Sequence, residues 1–211
     1  MLVEGRQNKV KTAKGTRLDT NLAIIEAGDL IASHDHLGNA NKSYPQELQP
    51  RDRSRQSSQA QIHSIAKDLD PESLGRSSRA DSGAPIIGPD RVVESGNGRS
   101  IAIQLAYKTG QADEYRAWLL ENAEYLGLST AQIESMKEPV LVRVRKTETD
   151  RSKFAVEANQ DDKLSYSATE RAKSDAKRLT AGLLELFNPD ESGNLISASN
   201  SKFISGFLDS L

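Results

Sequence analysis

The chain has 211 residues, 36% of them hydrophobic and 27% charged, with a formal net charge of −2 and no cysteine. That is enough chain to bury a real core, as one domain plus an appendage or as two small domains, and the charge balance argues against wholesale basic binding of nucleic acid while leaving room for a local basic face. Without cysteine, disulfides, thiolate metal sites and cysteine nucleophiles are excluded; the composition fits a reducing, cytoplasmic compartment, and no apolar run approaches the ~20 residues of a membrane span.

Residues 1–17 are polar and basic (Arg6, Lys9, Lys11, Lys14, Arg17) and read as a flexible arm. Leu22, Ile24 and Ile25 predict a strand near Asn21–Glu26, ended by Ala27-Gly28-Asp29. His34 to Arg55 is rich in Gly, Asn, Pro and charge, and so is a long loop. His34 and His36 flank Asp35, but no third ligand is apparent, so a polar loop is the better reading than a metal site. Arg51, Arg53 and Arg55 alternate; in an extended chain they point the same way, as a phosphate-binding row or as a solvated loop partly neutralised by Asp52. Ser57 or Ser58 caps a helix running to about Asp70, with Ile62, Ile65, Ala66 and Leu69 as its buried stripe.

The stretch from Gly83 to Tyr107 is the most informative. Pro85-Ile86-Ile87 and Val92-Val93, separated by Gly88-Pro89-Asp90, read as a hairpin. Ser95-Gly96-Asn97-Gly98 then forms a tight turn before Arg99 and a helix with Ile101, Ala102, Leu105 and Ala106 on one face. Glycines permit close backbone approach and positive φ, the first helical N–H groups lack intrahelical partners, and an arginine adds a fork of donors, so this is a candidate anion site, although such a turn by itself is more often just a turn. Gln111–Gly127 predicts a second helix in which Trp118 belongs to the apolar face. Ser129 or Thr130 caps a short helix through Met136 or Lys137. Pro139 to Lys146 reads as a strand, Val140, Val142 and Val144 facing one way and Leu141, Arg143 and Arg145 the other. That alternation predicts one face on the core and one on water or a ligand, with Arg143, Arg145 and Lys146 as a second basic patch. Residues 147–166 are polar and read as a linker. Beyond them, Ser167-Ala168-Thr169-Glu170 fits a capping box opening a helix to about Phe187, and a final helix lies near Ser197–Leu211. Together these predict a helical hairpin.

Ser95-Gly96-Asn97-Gly98-Arg99 followed by Ala102 resembles the glycine-arginine box of the ParB/sulfiredoxin superfamily, and most closely its DdrB-like branch, found in large multidomain proteins of phages and conjugative elements. Gln49-Pro50-Arg51 resembles the element before the first helix of ParB domains, and the order of strand, Gln-Pro-Arg, helix, hairpin, Gly-x-x-Arg and helix matches that layout. The resemblance implies an α+β fold: a small mixed sheet with packed helices over residues 18–146, followed by the helical hairpin at 167–211. It implies a DNA-associated module binding CTP or ATP with Mg2+. The nucleotide phosphates would lie near Gly96, Asn97, Gly98, Arg99 and Arg51, with Glu94 helping to hold the metal. The alternating arginines Arg51, Arg53, Arg55, Arg143 and Arg145 are the candidate DNA contacts of such a module. Further domains or a homo-oligomer would pack on the C-terminal helices, as in a chain cut from, or standing apart from, a longer protein.

Two departures matter. Asn97 and Gly98 replace the Glu-Arg pair of partition proteins, which puts triphosphate hydrolysis in doubt, and Asn97 occupies the position of the sulfiredoxin cysteine, which excludes sulfinic-acid reduction. Two other classes stay open. One is a non-enzymatic DNA- or protein-binding module. The other is a nuclease, for which Asp35, Asp90 and Glu94 are the candidate carboxylates.

Overall fold

Leu2–Lys11 (β1), Arg17–Glu26 (β2), Ile86–Ile87 (β3), Val93–Ser95 (β4) and Pro139–Arg145 (β5) form one mixed sheet in the order β1-β2-β5-β3-β4. The structure is a computed structural model and describes residues 2–49, 56–159, 176, 179–188 and 198–209. β2 pairs antiparallel with β1 and β5, β5 runs parallel to β3, and β3 and β4 make the expected hairpin. The helices are Gln56–Lys67 (α1), Asn97–Thr109 (α2), Asp113–Glu121 (α3), Ala123–Leu126 (α4), Thr130–Glu134 (α5) and Arg151–Asn159 (α6). α1 packs on α2, and their apolar stripes (Ile62, Ala66, Ile101, Leu105) join Ile25, Val140 and Val142 in the main core. This is the α+β architecture expected from the sequence.

Residues 1–163 make one compact unit and 164–211 a second. In the second, the described part of the expected hairpin is Ala181–Glu185 (α7), capped by the Thr180 hydroxyl, and Ser201–Asp209 (α8). They meet where the Phe187 and Phe203 rings stand 5.2 Å apart. The expected capping box at Ser167–Glu170 lies outside the described residues.

Four expectations need correction. The N-terminal arm is instead strand β1. Backbone pairing to β2 does not depend on side-chain polarity, and charged side chains suit an edge strand; only Asn8 and Val10 are buried in it. Residues 151–159 of the expected linker are instead α6, whose Phe154 and Ala158 pack with Val10, Leu18 and Ile86 in a second, smaller core. Glu157 ties that helix down by accepting from the hydroxyls of Thr12 (3.0 Å) and Thr16 (2.6 Å). The helix expected over 111–127 breaks at Asn122, whose side-chain amide donates to the Trp118 carbonyl at 2.9 Å. Finally, every residue of β5 is buried. Its Leu141-Arg143-Arg145 face does not meet water.

Candidate functional site

The anion-site candidate is built where β4 runs into α2. Gly96 sits in the left-handed region (φ 90°, ψ 27°) and opens the helix with no side-chain cap. A Cβ there would stand 2.8 Å from Arg99 Nη2, so a glycine lets the guanidinium fold back over the turn. Ser95, Gly96, Gly98 and Arg99 line a cavity of about 150 Å³, closed by Gln61 of α1 and by Ala158 and Asn159 of α6. The early N–H groups of α2 and its dipole favour negative charge at this end. Asp81 also lines the cavity, but its carboxylate accepts two bonds from Arg79, at 2.9 and 2.6 Å.

Asn97 does not line that cavity. Its Oδ1 accepts from the Ser33 N–H at 2.8 Å, and its Nδ2 donates to the Tyr44 hydroxyl at 3.0 Å and to Gln49 Oε1 at 2.8 Å. Tyr44 in turn donates to the Val93 carbonyl at 2.7 Å. One buried amide therefore ties the turn to the end of the 34–49 loop. Of the Gln-Pro-Arg element, Gln49 reaches the turn; Arg51, Arg53 and Arg55 lie outside the described residues.

Arg143 is fully buried, at 0% exposure, and meets no carboxylate among the described residues. Its guanidinium holds the 76–84 loop from below: Nε donates to the Ala84 carbonyl (2.8 Å), Nη1 to Ser77 (3.0 Å) and Arg79 (2.6 Å), and Nη2 to Ser82. Burial, then the neighbouring Arg99 charge, push its pKa down to about 9, with Asp81 opposing, so it is still protonated at neutral pH. Arg99 Nη1 reaches the same loop, donating to the Asp81 carbonyl at 2.6 Å. Two guanidinium groups thus hold the same loop, and their neighbouring positive charges favour an anion close to them.

Arg145 pairs with Glu94, Nε to Oε2 at 2.8 Å, and both are buried. Arg151 of α6 contacts Glu94 Oε1 at 2.8 Å and Asp90 at 2.8 Å. These contacts correct three expectations. Arg143 and Arg145 are not an exposed DNA-contacting patch, because the 76–84 loop and α6 cover their face. Glu94 is not available to a magnesium ion, because two arginines hold it. Asp90 and Glu94 share Arg151, and Asp35 folds back on its own loop, accepting from the N–H groups of Leu37 and Asn39 at 2.9 Å. Among the described residues, the carboxylates expected of a nuclease form no group of three that could hold a metal ion.

Sequence reasoning missed Gln61, Asp81 and Asn159 as cavity walls and Tyr44 as a support of the turn. Tyr44 carried a signal, an aromatic in an otherwise polar loop. Asn159 carried none, because α6 has only one large apolar residue facing in, Phe154.

Residues 13–146 match the family model of the ddrB-like ParB superfamily domain. No curated protein and no solved structure matches the chain.

Proposed function

Since the chain belongs to the ddrB-like ParB superfamily, we propose that it is a nucleotide-binding, DNA-associated module of a mobile genetic element, taking nucleotide phosphates at the Gly96–Arg99 turn. The observation that carries this reading is the cavity at the uncapped start of α2, walled by two glycines and Arg99. At about 150 Å³ it has room for roughly five water molecules at ~30 Å³ each, which suits a phosphoryl group; pockets that enclose whole ligands run ~300–1,000 Å³. The phosphate tail enters, and the nucleoside stays outside. Gly96 and Gly98 let the backbone approach, and Arg99 is the principal side-chain donor. Asn97 acts on the protein side, by holding the turn. CTP or ATP with Mg2+ is the expected form of the ligand, the metal being carried on the phosphates and not by Glu94.

Calorimetric titration of CTP, ATP and GTP with magnesium, on the wild type and on Arg99→Ala, tests this. The wild type is expected to bind saturably, inorganic tripolyphosphate to compete, and Arg99→Ala to weaken binding at least tenfold. Wild-type protein that binds none of the three overturns the reading.

A further inference from the structure

A second concavity is larger than the phosphate cavity. A trough of about 830 Å³ runs over the β1–β2 pair, adjoining a second hollow of about 430 Å³ that shares Lys9, Asp19 and Ser78 with it. Together they are lined by five basic side chains (Lys9, Lys11, Arg17, Arg76, Lys146) and one acidic one, Asp19, in a chain whose net charge is −2. The strand register explains the concentration. Lys9 and Lys11 alternate on one face of β1, opposite Asp19 and Arg17 of β2. Lys11 and Arg17 are thus like charges directly across a strand pair, a destabilising arrangement, and neither makes an ion pair among the described residues. Lys9 meets Asp19 only at 3.8 Å, while Lys146 is held by Glu4 at the rim.

An aromatic platform stands in the same trough. Tyr125 of α4 lines it and is 49% exposed, with the Arg6 guanidinium 5.4 Å from its ring centroid. Two glycines set this contact. A Cβ on Gly5 would stand 2.4 Å from the Leu126 carbonyl oxygen, and one on Gly127 (φ +75°) would stand 2.6 Å from the Arg6 backbone nitrogen. Backbone therefore packs on backbone, and Arg6 is carried over Tyr125.

We infer that this trough is a binding surface for single-stranded nucleic acid, its phosphates on the row of Lys11, Arg17 and Lys9 and on Arg76, whose Nε donates to Asn8 on the opposite face of β1, and an unpaired base on Tyr125. Cations in excess match a polyanion, and a half-exposed tyrosine beside an arginine supplies the π-face that a paired base in a duplex does not seek. An acidic peptide satisfies the cations but leaves the ring without a role. The inference gives a location to the DNA association proposed above and rests on that part of the reading alone, not on the phosphate cavity.

Fluorescence anisotropy of a labelled oligonucleotide against the full chain tests it, with single-stranded DNA, single-stranded RNA and duplex DNA as probes and polyglutamate as competitor. Both single strands are expected to bind better than the duplex. Affinity is expected to fall with salt at a log–log slope of about −3, as four or five neutralised phosphates require. Tyr125→Ala is expected to weaken single-strand binding about tenfold. The double variant Lys11→Gln/Arg17→Gln is expected to weaken it at least fivefold with no loss of thermal stability, since it removes a like-charge pair. Arg99→Ala is expected to bind the oligonucleotide normally, so failure of the nucleotide site and failure of the trough are read separately. Equal affinity for duplex, indifference to Tyr125→Ala, or full competition by polyglutamate each overturns the proposal.

Discussion

Replacing Arg143 with leucine is expected to destabilise the first unit by about 3–5 kcal/mol, lowering its melting temperature by on the order of 10 °C. The group is fully buried, and four carbonyl oxygens of the 76–84 loop accept from it. Leucine fills part of the volume and satisfies none of those oxygens. Each bond to a charged donor contributes about 1.5–3 kcal/mol, part of it recovered where the loop's exposed side lets water replace the donor. Lysine keeps the charge but not the planar fork, so Arg143→Lys is expected to fall between wild type and leucine. The loop offers its own reporter. Arg76 and Arg79 are exposed tryptic sites in a segment that Arg143 holds still, so both variants are expected to be nicked there faster than wild type. A functional consequence follows, because Arg99 is anchored on the Asp81 carbonyl of the same loop. Nucleotide affinity is expected to fall in Arg143→Lys even though residue 143 does not line the cavity. A melting temperature within about 2 °C of wild type for Arg143→Leu would show that water takes over the four carbonyls and that the loop does not depend on the arginine.

The same residue shows where a sequence stops being legible. The alternation of Val140, Val142 and Val144 against Leu141, Arg143 and Arg145 assigned the two faces of β5 correctly, because side-chain period in a strand is a local property. What covers a face is not local. The cover of Arg143 comes from carbonyls some sixty positions away in the chain, and backbone acceptors leave no compositional trace. α6 was misread for a related reason: its buried Glu157 and Asn159 are polar letters, held by Thr12, Thr16 and the helix's own Ala155 carbonyl, and nothing in 151–159 announces those partners. β1 was misread because an edge strand needs only backbone pairing on one side. The hairpin, the left-handed glycine and the start of α2 were legible because each is set by residues within a few positions, and the two arrays of apolar residues on α1 and α2 because 3.6-residue periodicity survives in sequence. The family resemblance added the order of elements, which no single motif carried.

Asn97→Leu is expected to separate support of the turn from contact with the ligand. The substitution is close in volume but deletes an acceptor and two donors. It leaves the N–H of Ser33, a residue at 0% exposure, without the oxygen it now bonds, and leaves Gln49 Oε1 and the Tyr44 hydroxyl without their shared amide. One buried orphan N–H costs about 1–3 kcal/mol; the Tyr44 hydroxyl, also buried, keeps its bond to the Val93 carbonyl, and Gln49 is partly accessible, so a loss of about 2–4 kcal/mol is expected. In the same assay Asn97→Asp keeps the acceptor for Ser33, and Gln49 can turn its amide to donate to the new carboxylate. Tyr44, whose proton already goes to Val93, then has no donor to receive. Aspartate is therefore expected to recover more than half of the loss. Both variants are to be compared by thermal unfolding and by the nucleotide titration used for Arg99→Ala. If Asn97 holds the turn, stability and nucleotide affinity fall together in leucine and recover together in aspartate. An acid at this position points towards Ser33, not into the cavity, so aspartate is not expected to add hydrolysis. A leucine variant of unchanged stability that no longer binds nucleotide would reverse the assignment. The amide would then act on the ligand, and the three bonds that now occupy it would have to open when the nucleotide enters.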